Sequence, residues 1–306
     1  MIRLIILFKF FFYSIFLSAQ DESFLIVLGN VQDGGIPHIA CKKDCCMSLT
    51  EKDKRVLKIT SLAFVDKRES KHYLFEASND ITDQLNFLDQ ITGNKSKLEG
   101  IFLTHAHMGH YSGLLQLGRE AMGAKNISVY VMPKMSEFLK SNAPWNQLVS
   151  LNNIKLKSLV ENQSIKVSHQ LDVSSTIVPH RDEFSETVGF FIKGPKKTAF
   201  FLPDIDKWGK WDQSLKNILE KVDYAFLDGT FFDSAEINYR DISEIPHPFV
   251  IETIHHLSSL SLKERKKVFF IHMNHTNGML NPNSQMTKEV LSKGFQIARY
   301  GMQFPL

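Results

Sequence analysis

The segment LTHAHMGHYSGL (103–114) places three imidazoles in six positions, at His105, His107 and His110, in a chain that has 12 histidines in all. Imidazole is the commonest neutral metal ligand and suits zinc, iron and similar ions. His105 and His107 are two apart, so on an extended segment both project to one side and can reach a common ion. His110 falls where the following helix begins and the chain turns back over that ion. Three more ligand-type residues stand in a similar setting: His180 after STIVP, Asp204 after AFFLP and His272 after VFFI. Singly they read as a loop histidine, a turn cap and a packed core histidine. Four apolar strands that each end in a ligand-type residue are what a β core converging on one cation requires.

The elements that must position these residues alternate. Strands are expected over 23–29, 59–66, 72–77 and 98–104, and again over 127–132, 163–169, 171–180, 186–194, 197–204, 223–230 and 267–273. Helices are expected over 79–91, 110–122, 134–141, 211–222 and 248–260, with a final helix–strand pair over 284–300. Strands followed by helices in each half predict an α/β fold of two sheets packed face to face with helices outside, in one domain over 20–306. NAPWNQLVSLNNI (142–154) has few regular features and reads either as a lid or as a connector with Trp145 packed in the core.

The 306 residues are 43% hydrophobic and 23% charged, enough apolar material for a sizeable core and too little charge for a disordered chain. Residues 1–19 run from Arg3 through apolar residues to Ser18-Ala19 and then turn polar, the layout of a secretory signal peptide cleaved after Ala19. The alternative is a short membrane anchor, although the run falls below the ~20 residues a span needs. Export to the periplasm or beyond is therefore expected. Without Arg3 and Lys9 the net charge falls from +3 to +1, which excludes the field of a nucleic-acid binder and leaves a small molecule as the expected substrate. The three cysteines, Cys41, Cys45 and Cys46, lie within CKKDCC. An odd count in an exported chain cannot pair off, and such clustering suggests a shared metal ion.

THAHMGH resembles the H-x-H-x-D-H signature of the metallo-β-lactamase-fold superfamily, and the spacing of His180, Asp204 and His272 is similar to its later motifs. Within it, VLGNVQDGGIPHIACKKDCC, FLDGTFF and IHMNHTN resemble the group around coenzyme PQQ synthesis protein B and the phosphodiesterase of phosphonate breakdown. The resemblance implies an αββα sandwich. It also implies a first metal on His105, His107 and His180, a bridging Asp204, and a second metal on His110 and His272. It further implies a structural zinc on Cys41, Cys45, Cys46 and His275, although C-x-x-x-C-C departs from the group's usual spacing. The larger departure is Gly109, where the signature has an aspartate that ligates the second metal. With Gly109, that second position is expected to be weak, differently filled or empty.

A metal with three histidine ligands and an open position makes hydroxide available at neutral pH. Asp204 is then expected to orient the water. His247, between Pro246 and Pro248, is a candidate acid or a structural loop residue. Asp228 in LDGT is either a partner behind a ligating imidazole or a turn aspartate. Three functions fit: an exported hydrolase of ester-like bonds, with zinc or alternatively iron or manganese; an iron-dependent oxidative enzyme; or a metal-binding sensor on the same scaffold.

Overall fold

Most strands carry apolar residues on both faces, which requires cover on both sides of each sheet. A computed structural model describes residues 23–237 and 241–306. The expected leader over 1–19 lies outside the described residues. The strands are β1 (Phe24–Gly29), β2 (Ser61–Asp66), β3 (Lys71–Phe75), β4 (Lys97–Phe102), β5 (Ile127–Val131), β6 (Ile154–Ser158), β7 (Ile165–Lys166), β8 (Asp172–Ile177), β9 (Val188–Lys193), β10 (Thr198–Leu202), β11 (Tyr224–Asp228), β12 (Val268–Ile271), β13 (Gln296–Ile297) and β14 (Gln303–Pro305). They form two seven-stranded sheets, ordered β14-β1-β2-β3-β4-β5-β6 and β13-β12-β11-β10-β9-β8-β7. In each, an antiparallel part (β1–β3; β7–β10) passes into a parallel part (β3–β6; β10–β13).

Alternation along the strands builds the layers. Leu25 and Val27 of β1 pack between the sheets with Phe75, Phe190, Phe201 and Phe226, while Ile26 and Leu28 face the helices outside. In β10, Phe201 faces the other sheet and Phe200 and Leu202 face outward. The helix Ile81–Thr92, closed by Gly93 at φ 63, buries Ile81 and Leu88 on the first sheet. Helices Leu215–Lys221, Val250–His256 and Gln285–Ser292 cover the second through Leu215, Ile218, Val250 and Val290. Each such side chain contributes roughly 1.5–3 kcal/mol by leaving water. The architecture is the expected αββα sandwich.

Two local expectations are corrected, and one open alternative is decided. The helix expected over 110–122 is one α turn, Met108–Tyr111, followed by a 3₁₀ segment, Ser112–Leu117. Gly113 lies so close to the Ala77–Ser78 backbone that a Cβ there would sit 2.0 Å from the Ser78 carbonyl oxygen. That contact pulls the chain off a regular helical path. The strand expected over 163–169 shortens to Ile165–Lys166. Trp145 begins a helix and packs on Tyr111 and Phe138, with ring centroids 5.0 and 5.9 Å away, so this segment is a connector rather than a lid. No helix among the described residues is long and apolar enough to cross a membrane.

Candidate metal centre

The carboxyl ends of β4, β8, β10 and β12 bring His105, His107, His110, His180, Asp204 and His272 together. Ligand atoms of His105, His107, His180 and Asp204 all lie within 4.8 Å of one another. His105 Nε2 is 2.8 Å from His107 Nδ1 and 3.5 Å from Asp204 Oδ2. Donor atoms that share an ion at ~2.1 Å stand about 3.0–3.4 Å apart.

Hydrogen bonding fixes which nitrogens face inward. Thr104 Oγ1 donates to Glu76 Oε1 (2.5 Å) and so accepts from His105 Nδ1 (2.9 Å). That leaves the lone pair of His105 on Nε2, the inward nitrogen. The same device recurs in the second sheet. Thr230 Oγ1 donates to Asp228 Oδ1 (2.7 Å) and accepts from His272 Nδ1 (3.0 Å), leaving the His272 lone pair on Nε2. His272 Nε2 nevertheless lies 3.0 Å from Asp33 Oδ1 and 3.4 Å from Asp204 Oδ2. A lone pair facing carboxylate oxygens at these distances is repulsive unless a cation or proton lies between them, so the donor set fits a metal ion. Two of these residues hold left-handed backbone that side chains rarely adopt, Glu76 at φ 83 and His272 at φ 63, each just past the end of its strand.

The second group, His110, Asp204 and His272, contains a fourth member that sequence reasoning missed. Asp33, from the Gly-rich loop after β1, sits 2.9 Å from His110 Nε2, and Asp204 Oδ2 sits 3.0 Å from the same nitrogen. The expectation that Gly109 leaves this group without a second carboxylate is therefore corrected.

Burial holds the His105 imidazole well below its ordinary pKa and lowers that of His180 to about 4, so both are neutral and ready as ligands at pH 7. For Asp204 burial opposes ionisation, but His272 and His180 outweigh it and keep the carboxyl well below the usual range. His110 is also desolvated, yet the Asp33 and Glu76 carboxylates raise it well above the ordinary histidine value. A proton there balances charge where a cation would.

His247 lies in the site, with Nδ1 2.8 Å from Asp228 Oδ2 and 3.2 Å from Asp204 Oδ1. Burial works against its protonation and Asp228 outweighs it, so its pKa is raised. Asp228 thus stands behind His247 directly and behind His272 only through Thr230. Both alternatives read from the sequence are present, since Asp228 Oδ1 also accepts the Thr230 amide across the turn (2.9 Å). His107 turns Nε2 outward to Glu183 Oε2, 3.0 Å away, with Arg181 Nη2 at 3.4 Å.

The cysteine group is equally compact. Cys45 and Cys46 sulfurs are 3.9 Å apart and lie 3.6 and 3.4 Å from His275 Nδ1, with Cys41 in the same cluster. A tetrahedral zinc with ~2.3 Å sulfur and ~2.1 Å nitrogen bonds has edges of about 3.8 and 3.6 Å. His38 stacks on His275 at 4.5 Å and donates its amide to Cys46 Sγ at 3.3 Å. Burial, with Cys46 adding to it, pushes the Cys45 thiol up to about 12.

Glu76, Thr104, Glu183 and Thr230 also went unnoticed in the sequence. Glu76 was findable, since it ends HYLFE just as Asp204 ends AFFLPD. Asp33 carried no such signal, lying among glycines in a loop.

Two stacked mixed sheets with a His/Asp cluster at their strand ends define a metallo-β-lactamase-fold protein. The profile of the Beta-lactamase superfamily domain matches residues 71–273, and the chain belongs to that superfamily. The chain is 24% identical over 316 residues to coenzyme PQQ synthesis protein B of Klebsiella pneumoniae subsp. pneumoniae, covering 92% of this chain and 98% of that protein. Its fold is similar to that of Zn(2+)-bound PqqB from Methylobacterium extorquens, with a TM-score of 0.75 at 20% identity over 92% of this chain and 100% of that one. It is also similar to a diphosphatase from the PhnP family, with a TM-score of 0.66 at 21% identity over 93% and 97%. The resemblance of THAHMGH and the later motifs is borne out for superfamily and fold.

Proposed function

We propose that this chain is an exported metal-dependent hydrolase of an ester-like bond, best suited to a small phosphodiester or related phosphate ester. The observation that carries the reading is the pair of carboxylate–threonine–histidine relays, which turn the Nε2 lone pairs of His105 and His272 onto Asp204. His107, His180 and His110 complete the ligand set. Zinc suits these donors, with iron or manganese as alternatives, and zinc suits the cysteine cluster. A cation held there would lower the pKa of its bound water to about 7. Asp204 lies beside that position and would orient the nucleophile. His247, whose pKa Asp228 raises, would supply a proton to the leaving oxygen. Arg181 at the rim offers a guanidinium to an anionic substrate group. Similarity to a diphosphatase supports the hydrolase reading, and the apolar residues 1–19 support export.

The test is turnover of a generic phosphodiester, a lactone and a β-lactam by zinc-, manganese- and iron-loaded protein beside His105→Ala. Equal rates for the two proteins on all three substrates would sink the proposal. A second reading, a metal-dependent oxidative role related to coenzyme PQQ synthesis, is favoured by the curated relatives. Iron in protein purified without added metal, together with oxygen consumption, would select it.

A further inference from the structure

We propose that Asp33 is the carboxylate ligand of the second metal position, in place of the aspartate that Gly109 lacks. The inference rests on the metal-centre reading above. Three observations converge on it. First, Asp33 occupies the vacated space itself: a Cβ on Gly109 would lie 2.5 Å from Asp33 Cα and 2.6 Å from its Oδ1. Glycine at 109 and aspartate at 33 are therefore two halves of one arrangement. A side chain at 109 and the present path of the loop exclude each other.

Second, three carboxylates converge on one buried imidazole. Asp33, Asp204 and Glu76 each bring an oxygen to within 3.1 Å of the His110 ring nitrogens. Neither His110 nitrogen is aligned for a hydrogen bond with any of them, although the side chain is 1% exposed. Three carboxylates converging on one buried imidazole crowd like charge together, which is costly without a cation. A divalent ion between Asp33, Asp204, His110 and His272 removes that cost. These four residues present ligand atoms within 4.8 Å of one another.

Third, the loop is built to hold Asp33 there. Gln32 donates its amide to the Met273 carbonyl (2.9 Å) and Met273 returns one to Asn30 (2.8 Å), so the residue before Asp33 is tied to the residue after His272. Val31 bridges both Ile59 and Met273. Asp33 is 13% exposed, so an ion at this position stays open to substrate.

The experiment is cation titration with cobalt(II), read spectroscopically and by metal analysis. Thiolate charge-transfer bands count the cysteine site, and ligand-field bands count the histidine sites. Wild type should take two ions in the histidine sites. Asp33→Asn should weaken the second by about 100-fold or more, beyond the 10–100-fold that loss of an outer partner costs. Asp33→Ala, which removes the carboxylate and adds no polar group, should lose the second ion as Asp33→Asn does, while the first ion and the cysteine-site ion stay. Wild-type and Asp33→Asn titrations that coincide, or a wild type holding one histidine-site ion unaffected by Asp33→Asn, overturn the inference while leaving the metal centre standing. A wild type with no ion in the histidine sites overturns both. Should Asp33→Asn fail to fold, the same titration of Asp33→Ala decides the question, and a second ion retained there at wild-type affinity overturns the proposal.

Discussion

Cys45 and Cys46 are neighbours in the chain with sulfurs 3.9 Å apart, and one loop supplies three of their cluster's four members. Asp33 and His272 are equally close in space, at 3.0 Å, but 239 positions apart in sequence. The thiolate cluster has four ligands for a tetrahedral ion and no vacant position, the design of a structural site. The imidazole cluster draws on both sheets, shares Asp204 between its two halves, and borders His247 and Arg181. One cluster ties the loop after β1 to the loop after β12. The other uses the residues that this tie holds in place, since Asp33 and His272 lie on the same two segments as the cysteines and His275.

The comparison breaks most readily at the imidazole cluster. His105→Ala should cost about 4 kcal/mol of transition-state stabilisation, roughly a thousandfold in kcat/KM, with the melting temperature of metal-free protein little changed. Equal losses of activity and stability would erase the distinction drawn here. Next in size, His247→Gln should lower kcat by about 100-fold or more and remove the alkaline limb of the pH–rate profile. Unchanged metal content separates this from loss of a ligand.

Cys46→Ser should act the other way round. It should lower thermal stability by a few kcal/mol through loss of the tie, and it should weaken cobalt binding at the Asp33 position more than at the His105 position. Equal weakening at both would mean that the cysteine cluster does not position Asp33. Smaller still, Thr230→Val should weaken the second ion by about tenfold, because His272 loses the partner that sets its tautomer.

Acid sharpens the comparison through the metal-free protein. His180 and His72 have folded pKa values of about 4, both lowered by burial from an ordinary 6.5. Between those limits the unfolded chain binds protons that the folded one refuses, so stability is full above pH 6.5 and falls towards pH 4. At pH 5 the two should cost about 2 kcal/mol each. His110 and His247, whose values are raised, contribute stability that is full below pH 6.5 and declines above it, so between pH 7 and pH 6 they offset part of this loss. Thermal melts of chelated protein at pH 7 and pH 5 check this, and an unchanged midpoint would contradict it.

Much of the site was legible because strands deliver residues predictably. An apolar run followed by His or Asp identified His180, Asp204 and His272, and the period-2 spacing of His105 and His107 put both on one side. The same rule, applied to HYLFEA, would have found Glu76. The threonine relays were hidden because a threonine at a strand end is ordinary and Thr230 lies 42 positions from His272. Residues 110–122 were misread because nothing local reports that Gly113 must press against the Ala77–Ser78 backbone.

The amino-acid order alone determined two sheets face to face with helices outside, through apolar strands alternating with helices, and it determined which strand ends carry imidazoles. It also flagged the missing carboxylate at Gly109. Only the tertiary structure decided that Asp33 fills that space, since a contact between a loop after the first strand and a turn after the fourth has no signature in local spacing. It arises when two sheets close on each other and the backbone ties of Asn30, Gln32 and Met273 set the loop's path.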